Sequence, residues 1–271
     1  MLFVNGQKIE PTTFPDGTLS VRFSPNSQDY VITWLYDGDS ECMLLWNIVH
    51  HIKESVRETT PEIYLRMPYI PNARMDRVKG CDEVFTLKWF AAFLNSLAFK
   101  QVEVYDPHSN VSTALIDHVV VIDAGEMVKE VLTELAENGV NDILLCYPDE
   151  GAAKRYSDQL EHEYIFCIKH RDWRTGKIEM LELTSPDKVR GRNILIVDDI
   201  CSRGGTFTHT AKALKAAGAK EIFLYVSHCE DTIFKGCVLT DGLISRVFTT
   251  NSIFRGEHEK VSTAQRLWYR R

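Results

Sequence analysis

Short runs of apolar residues alternate with amphipathic segments along most of this chain. The apolar runs at 63–67, 102–105, 143–146 and 194–197 have the length and composition of strands that are buried in a sheet. Between them, apolar residues recur at helical spacing over about 43–56, 86–98, 127–137 and 152–160. Strands that alternate with helices in this way predict an α/β fold with mostly parallel, doubly wound sheets.

The pattern also predicts two similar domains. Residues 1–36 contain short apolar runs separated by turn signals, which is typical of hairpins, and the run 30–36 predicts a first buried strand. The alternation of strands and helices then starts again near Val119. We therefore predict one domain over residues 1–115 and a second over residues 116–271.

One stretch, residues 193–219, combines a strand, two acids, two glycines and a helix in that order. Asp198 and Asp199 follow the apolar run directly, and open α/β sheets bind their ligands at the carboxyl ends of strands. The glycines permit a tight turn whose N–H groups converge on an anion at the start of the helix. The residues of this loop are Ser202, Arg203, Gly204, Gly205 and Thr206. Carboxylates for hydroxyls or a cation, next to amides for a phosphate, predict a site for a phosphorylated sugar; the alternative is an ordinary turn with two surface acids.

Composition narrows the class of protein. The chain has 271 residues, of which 44% are hydrophobic and 25% charged, as in a globular protein. A net charge of −7 argues against general affinity for nucleic acid or for an anionic membrane. The seven cysteines include no Cys-x-x-Cys pair, so neither a disulfide framework nor a zinc ribbon is indicated. No secretion signal and no membrane-spanning run is visible, and we expect a soluble, cytoplasmic protein.

Further polar segments follow other predicted strands. They read PYIPNARMDR at 68–77, DPHSN at 106–110, YPDEGAAKR at 147–155, KHRDWR at 169–174 and VSH at 226–228. KHRDWR is cationic and lies in a turn-rich stretch, which predicts a mobile loop after a strand. Cations there suit the transfer of a phosphoryl group, because negative charge builds up on its oxygens during the reaction.

In this order, and together with the ribose segment VDDICSRGGT, the segments resemble those of the ribose-phosphate pyrophosphokinase family over most of the chain. Phosphoribosyltransferases in general share only the ribose segment. The resemblance implies two phosphoribosyltransferase-like domains, the first for ATP and the second for a ribose phosphate. It implies Mg²⁺-dependent transfer of the β,γ-diphosphate of ATP to the anomeric hydroxyl of a ribose 5-phosphoryl acceptor, with release of AMP. It also implies a homo-oligomer, a dimer or higher.

The resemblance assigns roles to residues of the first domain. The implied ATP-binding residues are Phe14, Asp16, Arg74, Asp76, Arg77 and His108. Phe14 would lie against the adenine, and Arg74 would hold the phosphates. Thr18 and Met75 stand where the family usually has Glu and Gln, and neither can make the same hydrogen bonds.

The remaining roles concern metal, acceptor and catalysis. The implied metal ligands are His108, Asp106, Asp149 and Asp198. The implied acceptor-binding residues are Asp149, Asp198, Asp199, Ser202, Arg203, Gly204, Gly205 and Thr206. Lys169 and Arg171 are the implied catalytic cations. The alternatives are that His108 is a turn histidine, that Arg74 and Arg77 form surface ion pairs, and that KHRDWR is a solvated loop.

The loop sequence bears on which acceptor is used. Where the family usually reads Asp-Thr-Gly-Gly-Thr, this chain has Ser202 and Arg203 before the glycines. The change removes an anion and adds a guanidinium, which binds phosphate oxygens in pairs. ADP-ribose, giving ADP-ribose pyrophosphate in an NAD-related route, is therefore a second candidate acceptor beside ribose 5-phosphate. The alternative functions are a phosphoribosyltransferase that consumes phosphoribosyl pyrophosphate and a catalytically silent, synthetase-like regulatory subunit.

Overall fold

Each half of the chain forms a sheet of its own. The computed structural model describes residues 1–55, 60–171 and 178–264, and it describes no side chain from 169 to 180. The chain divides into two compact units, Met1–Ile122 and Asp123–Arg271. The division falls after Ile122 rather than at 115/116, because the strand Val119–Ile122 pairs with Gln101–Tyr105 of the first unit.

The first unit is a six-stranded sheet with helices and a separate hairpin. Its strands are β1 (Leu2–Val4), β2 (Gln7–Ile9), β3 (Thr12–Thr13), β4 (Leu19–Ser20), β5 (Asp29–Trp34), β6 (Glu62–Arg66), β7 (Gln101–Tyr105) and β8 (Val119–Ile122). Its helices are α1 (Ser40–Ser55), α2 (Thr86–Ser96) and α3 (Asn110–Leu115). The strand order is β2-β1-β5-β6-β7-β8, with β3 and β4 paired apart from it. The pairs from β5 to β8 are parallel, and those made by β1 are antiparallel.

The second unit is a seven-stranded sheet. Its strands are β9 (Ile143–Tyr147), β10 (Tyr164–Arg171), β11 (Ile178–Leu183), β12 (Asn193–Cys201), β13 (Ile222–Cys229), β14 (Arg246–Thr250) and β15 (Val261–Ala264). Its α-helices are α4 (Gly125–Glu137), α5 (Glu150–Tyr156) and α6 (Gly205–Ala216), and short 3-10 helices cover Pro186–Lys188 and Asp231–Lys235. The order is β11-β10-β9-β12-β13-β14-β15, and all pairs are parallel except β10 with β11.

These sheets confirm the predicted α/β class with parallel-dominated sheets in two domains. In the second unit, every residue of β9 and β13 is buried, as expected for strands covered on both faces. In the first unit, β6 alternates between buried and half-buried residues. No helix among the described residues is both long and apolar enough to cross a bilayer.

Two strand predictions were too short. The stretch from Lys169 was predicted to be loop, but β10 continues to Arg171 and pairs in antiparallel fashion with β11, with Lys169 opposite Leu181. The strand at 194–197 was predicted to end before the acids, but β12 continues to Cys201 because β13 pairs with it that far. In both cases a partner strand extends the pairing beyond the apolar run, and a local pattern carries no information on that partner.

Candidate functional site

The acid pair of the second unit lies on a central strand. Asp198 and Asp199 belong to the carboxyl end of β12, where Asp198 is half-buried and Asp199 is buried. The backbone N–H of Asp199 donates to Oδ1 of Asp198 over 3.0 Å.

The two acids differ in their electrostatic surroundings. Nη1 of Arg155 lies 2.9 Å from Oδ2 of Asp199, and both side chains are largely buried, so this is an ion pair shielded from water. For Asp198, burial raises the pKa well above its ordinary value, and the nearby charges of Asp199 and Asp149 raise it further. The ionised form of Asp198 therefore lacks full compensation, which is the environment that a cation or a sugar hydroxyl would relieve.

Asp149 begins the helix beside this strand. It is the N-cap of α5, and its Oδ1 accepts a hydrogen bond of 3.0 Å from the backbone N–H of Ala152. The same short helix carries Arg155, so one element holds both an acid that raises the pKa of Asp198 and the cation that pairs with Asp199. The sequence prediction missed Arg155, although the segment YPDEGAAKR contains it six residues after Asp149.

The glycine loop adopts the turn that its sequence predicts. Gly204 has a φ of +75°, and a Cβ at this position would collide with the side chain of Val238, so only glycine fits. Helix α6 begins at Gly205, whose missing side chain faces open space. The first N–H groups of a helix have no partner within it, and the N-terminus of α6 is therefore suited to an anion.

The side chains of this loop have different environments. Arg203 is exposed and makes no ion pair or hydrogen bond with any residue that the structure describes. Ser202 is half-buried, and its Oγ lies 3.0 Å from Oγ1 of Thr232. The side chain of Arg203 is thus open to solvent and has no acid partner within residues 1–55, 60–171 and 178–264.

In the first unit, the segments PYIPNARMDR and DPHSN come together. Asp76 is buried and accepts hydrogen bonds from Arg77, at 2.8 Å from Nε and 3.3 Å from Nη2. Arg77 holds the pKa of Asp76 below its ordinary value, and the charge of His108 acts in the same direction. Arg74 is exposed on the same segment. Arg77 and residues of the segment DPHSN thus both favour the ionised form of Asp76, which shows that the two segments are close together.

Asp106 and His108 follow β7. Asp106 is buried, and its φ of +40° is unusual for a residue other than glycine. Its backbone N–H donates to the carbonyl of Ile122 over 3.0 Å, while His108 is half-buried two residues later. A backbone held in this sparsely populated region points to a constraint at this strand end, since such geometry costs energy.

Phe14 and Asp16 lie in the turn between β3 and β4. Phe14 is 54% exposed, and Asp16 accepts hydrogen bonds from the backbone N–H and the hydroxyl of Thr18, at 3.0 and 2.7 Å. These bonds lower the pKa of Asp16 and stabilise its turn. A cavity of about 550 Å³, with Thr13 and Leu19 in its lining, adjoins this hairpin. The exposed ring of Phe14 is available for stacking on a base.

The predicted catalytic cations cannot be placed. Lys169 and Arg171 lie on β10, but their side chains are outside what the structure describes, as are residues 172–174 of the cationic segment. Their roles remain predictions.

The magnesium that the family resemblance implies can be tested against the donor set. Among the described residues, no three or more His, Cys, Asp and Glu side chains are grouped to hold a metal ion. Mg²⁺ commonly takes one or two carboxylates and completes its shell with water and substrate phosphates. The raised pKa of Asp198 marks a carboxylate that a cation would stabilise in its charged form, so the residues present fit such an ion.

This fold and these strand-end acids define an α/β protein of the phosphoribosyltransferase type. The family model for the phosphoribosyl transferase domain matches residues 115–252. Similar proteins include a ribose-phosphate pyrophosphokinase of Sulfurisphaera tokodaii, 27% identical over 91% of this chain and 84% of that protein. Another, from Pyrococcus abyssi, is 29% identical over 88% of this chain and 79% of that protein.

The solved structures agree on the fold. The crystal structure of a phosphoribosylpyrophosphate synthetase from Mycobacterium smegmatis matches with a TM-score of 0.75 and 17% identity, over 95% of this chain and 85% of that chain. The chain belongs to the phosphoribosyl transferase domain family. It is a transferase, and its similarity to ribose-phosphate pyrophosphokinases covers most of its length.

Proposed function

We propose that the protein transfers the β,γ-diphosphate of ATP to the anomeric hydroxyl of a ribose 5-phosphoryl acceptor and releases AMP. The observation that carries this proposal is the arrangement on β12 and α6. An undercompensated acid, Asp198, lies a few residues before a glycine turn and a helix N-terminus, so one short stretch offers groups for a cation or hydroxyls and for a phosphate.

The first unit supplies groups that suit a nucleoside triphosphate. Arg74 and Arg77 are exposed cations on one segment, and His108 adds a third group near Asp76. A phosphoribosyltransferase that consumes phosphoribosyl pyrophosphate has no need of a second nucleotide site. These residues therefore favour the pyrophosphokinase over that alternative.

Magnesium is part of the proposal. Asp198 and Asp149 in the second unit, and His108 with Asp106 in the first, are the residues we expect to hold it. When bound, the ion would neutralise the charge that develops on the phosphate oxygens. The chain's own contribution is to orient the acceptor through Asp198, Asp199 and the loop, and to meet developing charge with Lys169 and Arg171.

One assay separates the three functional alternatives. Purified protein is incubated with ATP, Mg²⁺ and ribose 5-phosphate or ADP-ribose, and AMP and the pyrophosphorylated sugar are measured. The proposal expects AMP in equal amount to the new sugar diphosphate. Release of free diphosphate from phosphoribosyl pyrophosphate and a base, without use of ATP, would identify a phosphoribosyltransferase. Absence of turnover with either acceptor would favour the regulatory subunit.

ADP-ribose is the second candidate acceptor, and one observation supports it. Arg203 is exposed and has no acid partner among the described residues, so its guanidinium can bind phosphate oxygens beyond those held by the helix N-terminus. A single terminal phosphate needs no such additional donor. A diphosphate that continues to a nucleoside would use it.

The acceptor proposal is tested by comparing Arg203→Thr and Arg203→Lys with the parent. If ADP-ribose is the acceptor, Arg203→Thr should lower kcat/KM for ADP-ribose by about tenfold or more and leave that for ribose 5-phosphate nearly unchanged. Arg203→Lys should fall between them, because an ammonium keeps the charge but not the paired geometry. A parent that prefers ribose 5-phosphate, with no change in either variant, would exclude the longer acceptor.

Two wider expectations belong to the proposal. All seven cysteines are free thiols, which fits the reducing cytoplasm. A homo-oligomer remains expected from the family resemblance, and light scattering of the purified protein tests it.

A further inference from the structure

The first part of the glycine loop, up to Gly204, is contacted by another segment of the second unit. We call residues 230–238, which include the 3-10 helix Asp231–Lys235, the bracing segment. The N–H of Glu230 donates to the carbonyl of Cys201 over 2.8 Å, immediately before the loop. Buried Ile233 and Val238 anchor the bracing segment in the hydrophobic core.

Two glycines allow further close contacts between the loop and the bracing segment. A side chain on Gly236 would collide with the backbone of Arg203, and a side chain on Gly204 would collide with Val238. Positions 201, 203 and 204 therefore each contact a residue of the bracing segment at close range. Backbone packed this tightly has little freedom to move, so the bracing segment determines the conformation of the loop.

The remaining loop position is held through side chains. Oγ of Ser202 lies 3.0 Å from Oγ1 of Thr232, and Thr232 donates to Oε2 of Glu230 over 2.9 Å. A hydroxyl has one proton, and the proton of Thr232 is used by the carboxylate. Ser202 must therefore be the donor to Thr232. Its own proton is then used by Thr232, and its oxygen is left with lone pairs only.

A phosphate dianion also offers only lone pairs, so Ser202 cannot donate to it in this arrangement. We infer that Thr232 is a positioning residue: with Glu230 it fixes Ser202, so that the loop binds the acceptor phosphate through backbone N–H groups and Arg203 rather than through the serine hydroxyl. The kinetic part of this inference rests on the proposed function, whereas its conformational part does not.

The conformational test uses hydrogen exchange of the ligand-free protein. Thr232→Val keeps the shape and removes the hydroxyl, and Thr232→Ser restores a hydroxyl. Loss of a hydrogen bond to a charged group should speed exchange of the amides at 202–206 by about tenfold in Thr232→Val. Thr232→Ser should match the parent. The control is Thr208→Val, because the hydroxyl of Thr208 makes a comparable 3.2 Å bond to Asp241. The bond of Thr208 to the loop runs from its backbone N–H to the carbonyl of Gly204 over 3.0 Å, and the substitution keeps that group.

The kinetic test follows the acceptor. Thr232→Val should raise the acceptor KM by about tenfold, with kcat and the KM for ATP changed by less than about twofold. Ser202→Ala should have the same effect, and the double variant should be no worse than either single one, because both act through one contact. Glu230→Gln should give a smaller change of the same kind and serves if Thr232→Val does not fold.

Each result decides the inference. Unchanged exchange in Thr232→Val, or failure of Thr232→Ser to restore it, overturns it. A larger effect of Ser202→Ala that adds to that of Thr232→Val also overturns it, because Ser202 would then contact the ligand itself. If the parent turns over neither acceptor, the proposed function fails, and the exchange result alone decides whether Thr232 positions the loop.

Discussion

The two units hold buried acids in opposite electrostatic states. In the first unit, Asp76 is paired with Arg77, and its pKa is lowered. In the second unit, Asp198 lies near Asp199 and Asp149, and its pKa is raised because burial and like charge both disfavour ionisation. An acid that is already paired supports the local structure, whereas an acid that lacks a cation is available to a ligand.

The sheets of the two units also differ in how deeply their strands are buried. The central strands of the second unit are buried on both faces, so a charge at their end is removed from water. The first sheet ends in β8, whose residues Val120, Val121 and Ile122 are at least 37% exposed. A low-dielectric surrounding amplifies both the cost of an uncompensated charge and the gain when a ligand neutralises it.

The largest expected effect concerns cations of the second unit. Lys169→Ala and Arg171→Ala should each lower kcat by about 10²–10³-fold and change the KM for ATP much less, because these groups act on charge that develops only in the transition state. Steady-state kinetics measures both parameters. The control is Lys154→Ala, whose ammonium forms an exposed pair with Glu150 at 2.8 Å and should be dispensable. An unchanged kcat in both variants would exclude a catalytic role for Lys169 and Arg171.

The next largest effect should be on the Mg²⁺ requirement, which tests the predicted metal ligand of the first unit. Chelation should abolish activity and Mg²⁺ restore it, while His108→Ala should raise the Mg²⁺ concentration for half-maximal rate by about tenfold. His118→Asn is the control, since His118 lies in the same unit with a φ of +53° that asparagine tolerates. The same Mg²⁺ requirement in His108→Ala and the parent would make His108 a structural turn residue.

The uncompensated acid should cost stability. Asp198→Asn should lose activity and yet raise the Tm of the ligand-free protein by about 2–4 °C near pH 8. Because the folded pKa is raised, the acid does no harm below its unfolded pKa near 4, and its cost grows as pH rises through the folded pKa. Calorimetry at about pH 4 and pH 8 should therefore show no difference and then a gain. A lower Tm in the variant at both pH values would mean that Asp198 is already compensated.

The smallest expected effect is a loss of stability, opposite in sign to the gain expected for Asp198→Asn. Arg77→Gln should lower the Tm only slightly, because the arginine is 73% exposed and its interaction is screened. The folded pKa of Asp76 is lowered, so this contribution is present above the unfolded pKa and is lost as pH falls through the folded pKa. Thermal unfolding should show a difference at about pH 7 that becomes smaller as the pH is lowered below the unfolded pKa of about 4. An equal difference below that pKa would attribute it to packing of the arginine stem.

Local pattern was sufficient for the elements that carry the site. The run 194–197, the acids after it and the glycine pair predicted a strand, a turn and a helix, and the structure has all three in that order. Such features depend on residues that are close in sequence, namely side-chain period, the φ of one glycine and the start of one helix. The α/β class followed from repeating the same argument along the chain.

Contacts between distant residues were decided only by the tertiary structure. The partner of Ser202 is Thr232, 30 residues later, and nothing in the loop sequence identifies it. Asp199 on strand β12 pairs with Arg155 on helix α5. The continuation of β10 and β12 beyond their apolar runs depends on the strands that pair with them. The sequence by itself predicted which residues could bind a sugar phosphate. Which acid is neutralised, and in which direction the serine hydroxyl points, depend on neighbours that only folding brings within hydrogen-bonding distance.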